Sequence, residues 1–312
     1  MTLHPHHPQS IDSILRLHTS KHQHSKPRCA GKRLDLYNRA ATRLTVRSWF
    51  AYISPTEPCL LEDVIVSSKH SLTNQVHEHY LPGLVAHHPR DISKDHLIIA
   101  RNVIYNIDGV GIVWYTSSNA DFERGDTGES GDGTLKQGLR PSMYKSVQPP
   151  ANDLNYRSIC ANTETRVLMA HIRAASGTPI VPVNNHPFIF GRHSFMHNGA
   201  VTDFSTLKLD LCQKMSKAAY LTIKGGTDSE HMAALYVSYL TNFGDETSFE
   251  QEYSAEQMGT AMTAMVTTIL ELQATMLGTK AKPNSLNLCA TDGVKMIACR
   301  FRNHATQEPP SL

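Results

Sequence analysis

The stretch SLNLCATDGVKMIACR, residues 285–300, holds the clearest folding signal in the chain. Two mostly apolar runs, Ser285 to Ala290 and Val294 to Arg300, flank the pair Asp292 and Gly293. An Asp-Gly pair between two such runs is a strong short-range signal for a β-hairpin, because both residues tolerate the backbone angles of a tight turn. The stretch therefore predicts two antiparallel strands.

More strands are predicted outward from this hairpin. Phe188 to Phe190 and Ser194 to His197 flank Gly191 and Arg192, which predicts a second hairpin. Three other runs read as strands, and they are Trp49 to Ser54, Gly109 to Tyr115 and Arg166 to Ile172. The last run leads directly into Arg173, which places that residue at a strand end, where ligand-binding groups often collect.

Three amphipathic helices are predicted, over residues 203–216, over residues 227–242 and after Ser254. Thr227 with Glu230, and Ser254 with Gln257, have capping-box spacing. The third helix carries an apolar stripe that favours core packing, formed by Met258, Ala261, Met262, Met265, Val266, Ile269, Leu270 and Met276. Antiparallel hairpins with long amphipathic helices predict a layered α+β domain.

Composition limits the class of protein. A chain of 312 residues with 40% hydrophobic residues can bury one large core, and its net charge of +2 excludes nothing. No run approaches the roughly 18 to 20 apolar residues of a membrane span, and six cysteines without paired spacing favour reduced thiols. We therefore expect a soluble, cytoplasmic protein that binds neither membrane nor nucleic acid. Residues 119–138 are rich in Gly, Asp and Ser, which predicts a flexible insertion.

Residues 1–47 differ from the remainder of the chain. They contain six Arg, three Lys and six His but only two acidic residues, Asp12 and Asp35. This composition is typical of a disordered leader or of a mitochondrial presequence, and a wrongly joined first exon explains it equally well. The histidines lack a partner cluster at ligand spacing, and His77 and His79 do not complete a metal site, so no metal is predicted.

Four short motifs carry the candidate chemistry, and they are HIRAAS at 171–176, NNHPF at 184–188, FMHNGA at 195–200 and GGTDSE at 225–230. The planar guanidinium of Arg173 suits a carboxylate, and Asp228 suits an ammonium group. The side-chain amide of Asn198 and the backbone N–H of Gly199 can form an oxyanion hole. Together these groups match the γ-glutamyl head of a small-molecule substrate, with its carboxylate, ammonium and amide carbonyl.

Each of these residues also has a structural explanation. Arg173 can form a surface ion pair, Asp228 can favour the start of a helix, and Asn198 with Gly199 is a common hairpin pair. One shared binding pocket explains all four residues and the order of their motifs, whereas the structural explanations require four unrelated causes. Four neighbours are expected to orient the pocket rather than to react, and they are His171, Asn185, His186 and His197.

With these motifs the chain resembles class II glutamine amidotransferases of the N-terminal nucleophile hydrolase superfamily, and it is most similar to the fungal glutathione-degradation amidotransferase-like subunit. The resemblance extends from Trp49 to Leu312 and includes WFAYISPTEPCLLEDV from Trp49, KHSL from Lys69, DGVGIVWY from Asp108 and FRNHAT from Phe301. So many ordered motifs are more specific than any one of them.

The resemblance implies a four-layer αββα sandwich over residues 48–312. The chain stops where similar proteins continue with further strands, so the sandwich is expected to be incomplete at its C-terminus. The resemblance also implies that Ser176 and Thr227 bind substrate beside Arg173 and Asp228, with no metal or other cofactor. The implied substrate is glutathione, cleaved at its γ-glutamyl bond in complex with a metallopeptidase-like subunit, and glutamine is the alternative substrate.

The nucleophile of the family is missing from this sequence. Similar enzymes begin Met, Cys, Arg, Trp, Phe, Ala, and the matching run here is Val46 to Ala51, with Arg47 in place of the cysteine. A guanidinium is neither nucleophile nor base, and the backbone nitrogen of Arg47 is held in a peptide bond, so the chain as written is predicted to be inactive. Cys59 belongs to the family pattern besides the catalytic cysteine and is expected to be a small buried apolar residue.

Three interpretations of this difference remain open. In the first, residues 1–47 come from a wrong or alternative first exon, and the natural protein begins with Met and Cys close to Trp49. The protein is then expected in the cytoplasm, whereas a genuine presequence at residues 1–47 would imply mitochondria. In the second, the chain is a noncatalytic γ-glutamyl-binding or assembly subunit. In the third, cleavage exposes Ser48 as an N-terminal nucleophile.

Overall fold

The computed structural model describes residues 48–69, 71–74, 108–118, 139–173 and 178–304. Several predictions fall on residues outside these ranges and stay predictions. They concern the leader with Arg47, His77 and His79, the insertion at 119–138, Ser176 and the C-terminal residues 305–312.

Most strands belong to two antiparallel sheets of four strands each. The first sheet has the order β1-β6-β3-β4, and its strands are β1 (Ser48–Ile53), β3 (Val110–Thr116), β4 (Arg140–Ser146) and β6 (Val167–Ile172). A short separate pair consists of β2 (Cys59–Leu60) and β5 (Glu164–Thr165). The second sheet has the order β10-β9-β8-β7, and its strands are β7 (Phe188–Phe190), β8 (His193–Ala200), β9 (Ser285–Thr291) and β10 (Met296–Arg302). Both predicted hairpins are present.

The α-helices are α1 (Leu154–Ala161), α2 (Phe204–Gln213), α3 (Lys217–Thr222), α4 (Asp228–Leu240) and α5 (Ala255–Leu277). A π-helical turn covers Asp63–Ser67, and 3-10 turns cover Pro182–Asn184, Glu246–Glu250 and Gly278–Lys280. The helix predicted over residues 203–216 was too long. It ends at Gln213, and Ser216 instead begins α3, because the Ser216 hydroxyl accepts a hydrogen bond from the Ala219 N–H at 3.1 Å.

The two predicted capping boxes have different outcomes. At α5 both reciprocal bonds between Ser254 and Gln257 are present. At α4 only half of the box forms, because Thr227 Oγ1 accepts from the Glu230 N–H at 3.1 Å while the Glu230 carboxylate binds other backbone groups. Most of the predicted stripe of α5 is buried, but Met276 is 38% exposed and does not belong to the core.

The apolar side chains form layers on both faces of each sheet. Helices α4 and α5 pack on the second sheet, where Phe195, Leu288 and Met262 share one core. The π-helical turn and α1 pack on the first sheet, where Tyr156 meets Ile112. Between the sheets lie Met169, Met196 and Cys289, with Trp49 packed against them. The order helix, sheet, sheet, helix is the predicted αββα arrangement, and the α+β class is confirmed.

No helix within the described ranges is both long enough and apolar enough to cross a membrane.

Candidate functional site

One end of the first sheet gathers the start of β1 and the end of β6. Ser48 pairs with Ile172 in the antiparallel register, so the first residue of β1 lies beside the last residue of β6. Arg173 follows Ile172, and its backbone N–H donates to the Gly109 carbonyl at 2.9 Å. The position of Arg173 at a strand end is thus as predicted, and the start of β1 is close to it.

Strand β8 brings Asn198 and Gly199 to the same end of the sandwich. At the opposite end the Tyr115 hydroxyl lies 2.8 Å from Ser194 Oγ, and in the middle Met169 and Met196 share the layer between the sheets. Side chains alternate along a strand, so Asn198, two residues beyond Met196, faces the first sheet near the end of β6.

Asn198 and Gly199 do not form a hairpin turn. They pair with Asn287 and Leu286 inside the β8–β9 ladder, so the turn explanation of this motif is wrong. Asn287, which the sequence analysis did not single out, is 3% exposed, and its Oδ1 has no hydrogen-bond partner within the described residues.

A cavity of about 430 Å³ opens at this end of the sandwich. Its lining combines all four motifs. Arg173, Thr227 and Asp228 of the predicted binding set line it, as does Ala200, next to Gly199, and the NNHPF motif contributes one histidine, named below. Asn198 and Gly199 themselves are not part of the lining. The remaining residues that line it are His171, Thr178, His186, Val201, Phe204, Ser205, Lys208, Gly226 and Ser229.

Arg173 is held in place by the loop that follows it. Its Nη1 donates to the Pro179 carbonyl at 3.0 Å and to Asn185 Oδ1 at 3.4 Å, and its Nη2 donates to Thr178 Oγ1 at 2.7 Å. The residue is only 4% exposed, which argues against the surface ion pair considered above. The bonds fix the plane of the guanidinium at the cavity wall.

Asp228 links the start of α4 to the end of β8. Its Oδ2 accepts from the Val201 N–H at 2.9 Å, and its Oδ1 accepts from the Ser229 N–H at 2.8 Å and from Ser229 Oγ at 3.1 Å. Ser229 Oγ in turn lies 2.9 Å from His197 Nδ1. A carboxylate has about four acceptor sites, so Asp228 can accept one more donor from the cavity.

The NNHPF motif joins the loop of Arg173 to the glycine loop before Asp228. Asn184 Oδ1 accepts from the Gly226 N–H at 3.0 Å, while its Nδ2 donates to the Pro179 carbonyl at 2.9 Å. Glu230 holds the same glycine loop from the other side, because its carboxylate accepts from the N–H groups of Lys224 at 3.0 Å and Gly225 at 2.7 Å. These bonds set the relative positions of the cation and the anion.

Two of the predicted orienting histidines line the cavity together. The rings of His171 and His186 have centroids 4.2 Å apart, and His186 also meets the edge of Phe188 at 4.8 Å. Gly111 makes this arrangement possible, since a Cβ there would lie 1.9 Å from the His186 carbonyl oxygen.

Two lysines near the cavity were missed by the sequence analysis. Lys208 on α2 lines the cavity directly. Lys145 on β4 has its Nζ 4.7 Å from the Phe188 ring centre, and burial lowers its pKa to about 8 although Glu230 opposes the shift. Isolated lysines give no periodic signal, so only the packing of their elements shows where they lie.

The cysteines of the described ranges are poor nucleophiles. Burial raises the pKa of the Cys59 thiol to about 11, and Cys59 is half-buried rather than buried as predicted. It pairs with Thr165 in the separate β2–β5 pair, and Thr165 precedes β6 at the opposite end of that strand from Arg173, so Cys59 cannot replace the missing nucleophile. Burial also raises the pKa of the thiols of Cys160, Cys212, Cys289 and Cys299.

Within the described ranges, no group of three or more His, Cys, Asp or Glu side chains is arranged to hold a metal ion.

Comparison with known proteins gives a similarity to a yeast protein. No family model matches the chain. Over 266 residues the chain is 25% identical to a protein of Saccharomyces cerevisiae, a match that covers 84% of this chain and 66% of that protein. The chain is thus similar to a protein of the glutamine amidotransferase kind. The yeast relative is described as the probable glutamine amidotransferase DUG3.

A solved structure is also similar. It is that of a glutamine aminotransferase class-II domain protein from Silicibacter pomeroyi, with a TM-score of 0.49 and 20% identity, covering 83% of this chain and 79% of that one. The chain spans 66% of the length of the yeast relative, slightly less than two thirds.

Proposed function

We propose that this protein binds the γ-glutamyl head of a small molecule in the cavity between β6, β8 and α4. The observation that carries the proposal is that Arg173 and Asp228 line one cavity of about 430 Å³. This volume lies within the range of small-molecule sites, and a buried guanidinium opposite a carboxylate complements an α-amino acid zwitterion.

The proposal assigns one task to each group. Arg173 holds the α-carboxylate, Asp228 accepts from the α-ammonium, and Thr227, with Ser176 from outside the described residues, contributes further polar contacts. Asn198 and Gly199 adjoin the lining at Ala200, and we propose that the side-chain amide of Asn198 and the backbone N–H of Gly199 donate to the amide carbonyl oxygen of the bound ligand. These donors stabilise the negative charge that forms on that oxygen when a nucleophile attacks.

The substrate class follows from the resemblance rather than from the cavity alone. We propose glutathione, cleaved at the γ-glutamyl bond in complex with a metallopeptidase-like subunit, with glutamine as the alternative because both share the same head. The sequence with Arg47 lacks the thiol for this step. A chain of this sequence is therefore proposed to bind γ-glutamyl compounds without turning them over, which is the role of a noncatalytic subunit.

The binding site is tested by Arg173→Ala in the full chain. Removal of a charge-assisted partner should weaken the binding of glutamine and of glutathione by about 1.5 to 3 kcal/mol in isothermal titration calorimetry. The matched control is Arg166→Ala, an exposed arginine just before β6 at the other end of the same strand, which should leave binding unchanged. Equal binding by the Arg173 variant and the wild-type chain would falsify the proposal.

Catalysis is tested separately by glutamate release. The chain as written should release no glutamate from glutathione or glutamine, whereas a variant in which Met-Cys replaces residues 1–47 should gain turnover once the methionine is removed. The N-terminal cysteine then supplies the thiol and a free α-amino group as its base. Turnover by the unchanged chain would contradict our account of the missing nucleophile.

A further inference from the structure

The cavity carries more positive charge than the head of glutamine requires. Arg173 and Asp228 match one carboxylate and one ammonium, but Lys208 lines the same cavity. Lys208 lies on α2 and forms no ion pair with any described carboxylate. An unmatched cation in a concave site favours a ligand with an additional anion.

The surroundings of Lys208 also favour an anion. Phe204 and Ser205, the first two residues of α2, line the cavity, and the helix begins there without a side-chain cap. The first backbone N–H groups of a helix carry partial positive charge. Burial lowers the pKa of the nearby His231, and the charge of Lys208 adds to that lowering, so the neutral form of this ring is favoured and Lys208 is the cation on this side of the cavity.

We infer that Lys208 is a specificity-determining residue that binds a second carboxylate of the ligand, such as the C-terminal carboxylate of a γ-glutamyl peptide. The inference rests on the proposed γ-glutamyl function. Glutamine has no second carboxylate, so Lys208 favours γ-glutamyl peptides over glutamine. Arg173 and Asp228 hold the common head, and Lys208 distinguishes what is attached to it.

The test uses the full chain, the variant Lys208→Met and three ligands. The ligands are glutamine, S-methylglutathione, whose blocked thiol cannot exchange with protein cysteines, and S-methylglutathione amidated at its C-terminus. Methionine keeps most of the length of lysine but removes its charge. The matched control is Lys214→Met, because Lys214 ends the same helix, is exposed and does not line the cavity.

Lys208→Met should weaken S-methylglutathione binding by about tenfold, as expected for loss of one charge-assisted contact, and should leave glutamine binding within about twofold. The amidated peptide should bind the wild-type chain as weakly as S-methylglutathione binds Lys208→Met. Lys214→Met should change none of these affinities.

Two results would overturn the inference while leaving the proposed function intact. Unchanged peptide binding by Lys208→Met would make Lys208 a solvated surface lysine. An equal loss for glutamine and for the peptide would place Lys208 at the common α-carboxylate beside Arg173. A wild-type chain that binds none of the ligands would instead refute the proposed function itself.

Discussion

Asp228 has a structural role and an electrostatic role, and the two roles can be tested separately. Its carboxylate accepts from the Val201 N–H and from the N–H and hydroxyl of Ser229, which joins β8 to α4. The same carboxylate faces the cavity. Loss of the negative charge should therefore affect a ligand with an ammonium group more than a ligand without one.

Asp228→Asn tests this separation. The amide keeps one oxygen acceptor but loses the charge, so glutamine binding should weaken by about 1.5 to 3 kcal/mol. Binding of glutaramic acid, which has the same carboxylate and amide but no α-ammonium, should change much less. Calorimetry with both ligands measures the difference, and a similar loss for the two would mean that Asp228 only supports the fold.

Gly199 shows that more than one physical requirement can favour the same residue type at a motif position. A residue without a side chain leaves its backbone N–H accessible to a ligand, which is one reason for glycine in an oxyanion hole. In the structure its φ is 148°, and a Cβ there would lie 1.7 Å from the Ser285 carbonyl oxygen on β9. Close packing of β8 on β9 thus already demands glycine, so the residue type alone does not establish an oxyanion hole.

At the scale of elements, local signals found the hairpins but not every helix boundary. Alternating apolar runs around Gly191 and around Asp292 and Gly293 are short-range patterns, and both hairpins formed. The split of the predicted helix at Ser216 depends on a tertiary bond, since the Ser216 N–H donates to Ser238 Oγ on α4 at 2.9 Å. Such a bond leaves no periodic signal in the sequence.

The hairpin β7–β8 contains a histidine that should make stability depend on pH. His193 is 2% exposed, and its Nε2 lies 3.1 Å from the Gln251 carbonyl oxygen. Burial lowers its pKa from 6.5 to about 4; Asp292 opposes the shift, and Arg192 and Lys295 add to it. In the folded protein the ring therefore stays neutral over a pH range in which the unfolded chain binds a proton.

The sign of the effect follows from the unfolded state. As pH falls from 6.5 towards 4, the unfolded chain binds the proton first, so the free energy of unfolding decreases. Between pH 7.5 and pH 5, the free energy of unfolding should decrease by about 1 to 2 kcal/mol less in His193→Gln than in the wild-type protein. Urea unfolding at the two pH values measures it, and parallel losses in both proteins would show that His193 does not contribute.

At the scale of the whole molecule, the site depends on how two sheets face each other. The sequence placed Arg173 at the end of β6 and Asp228 at the start of α4 but gave no order of strands. The order β1-β6-β3-β4 and the packing of Met169 on Met196 bring these ends together. Lys208 was missed for the same reason, because the face that α2 turns to the cavity is set by its packing on α4 and α5.

Two buried tyrosines allow a comparison, Tyr115 at the joint between the sheets and Tyr236 in the core between the second sheet and its helices. The Tyr115 hydroxyl on β3 contacts the second sheet, where it lies 2.8 Å from the Arg192 carbonyl oxygen and 2.8 Å from Ser194 Oγ. The Tyr236 hydroxyl on α4 is equally buried but has no hydrogen-bond partner among the described residues. Burial raises the pKa of both phenols above the ordinary value, so both are neutral, but only Tyr115 makes hydrogen bonds within the described residues.

Tyr115→Phe should therefore lower the free energy of unfolding by about 1 to 3 kcal/mol, because the variant leaves Ser194 and a backbone carbonyl without their buried partner. Tyr236→Phe removes a buried hydroxyl that makes no bond, so it should be neutral or slightly stabilising. Urea unfolding of both variants at one pH gives the comparison. If the two substitutions cost the same, the hydrogen bonds of Tyr115 do not hold the sheets together, and the apolar layer around Met169 and Met196 must do so alone.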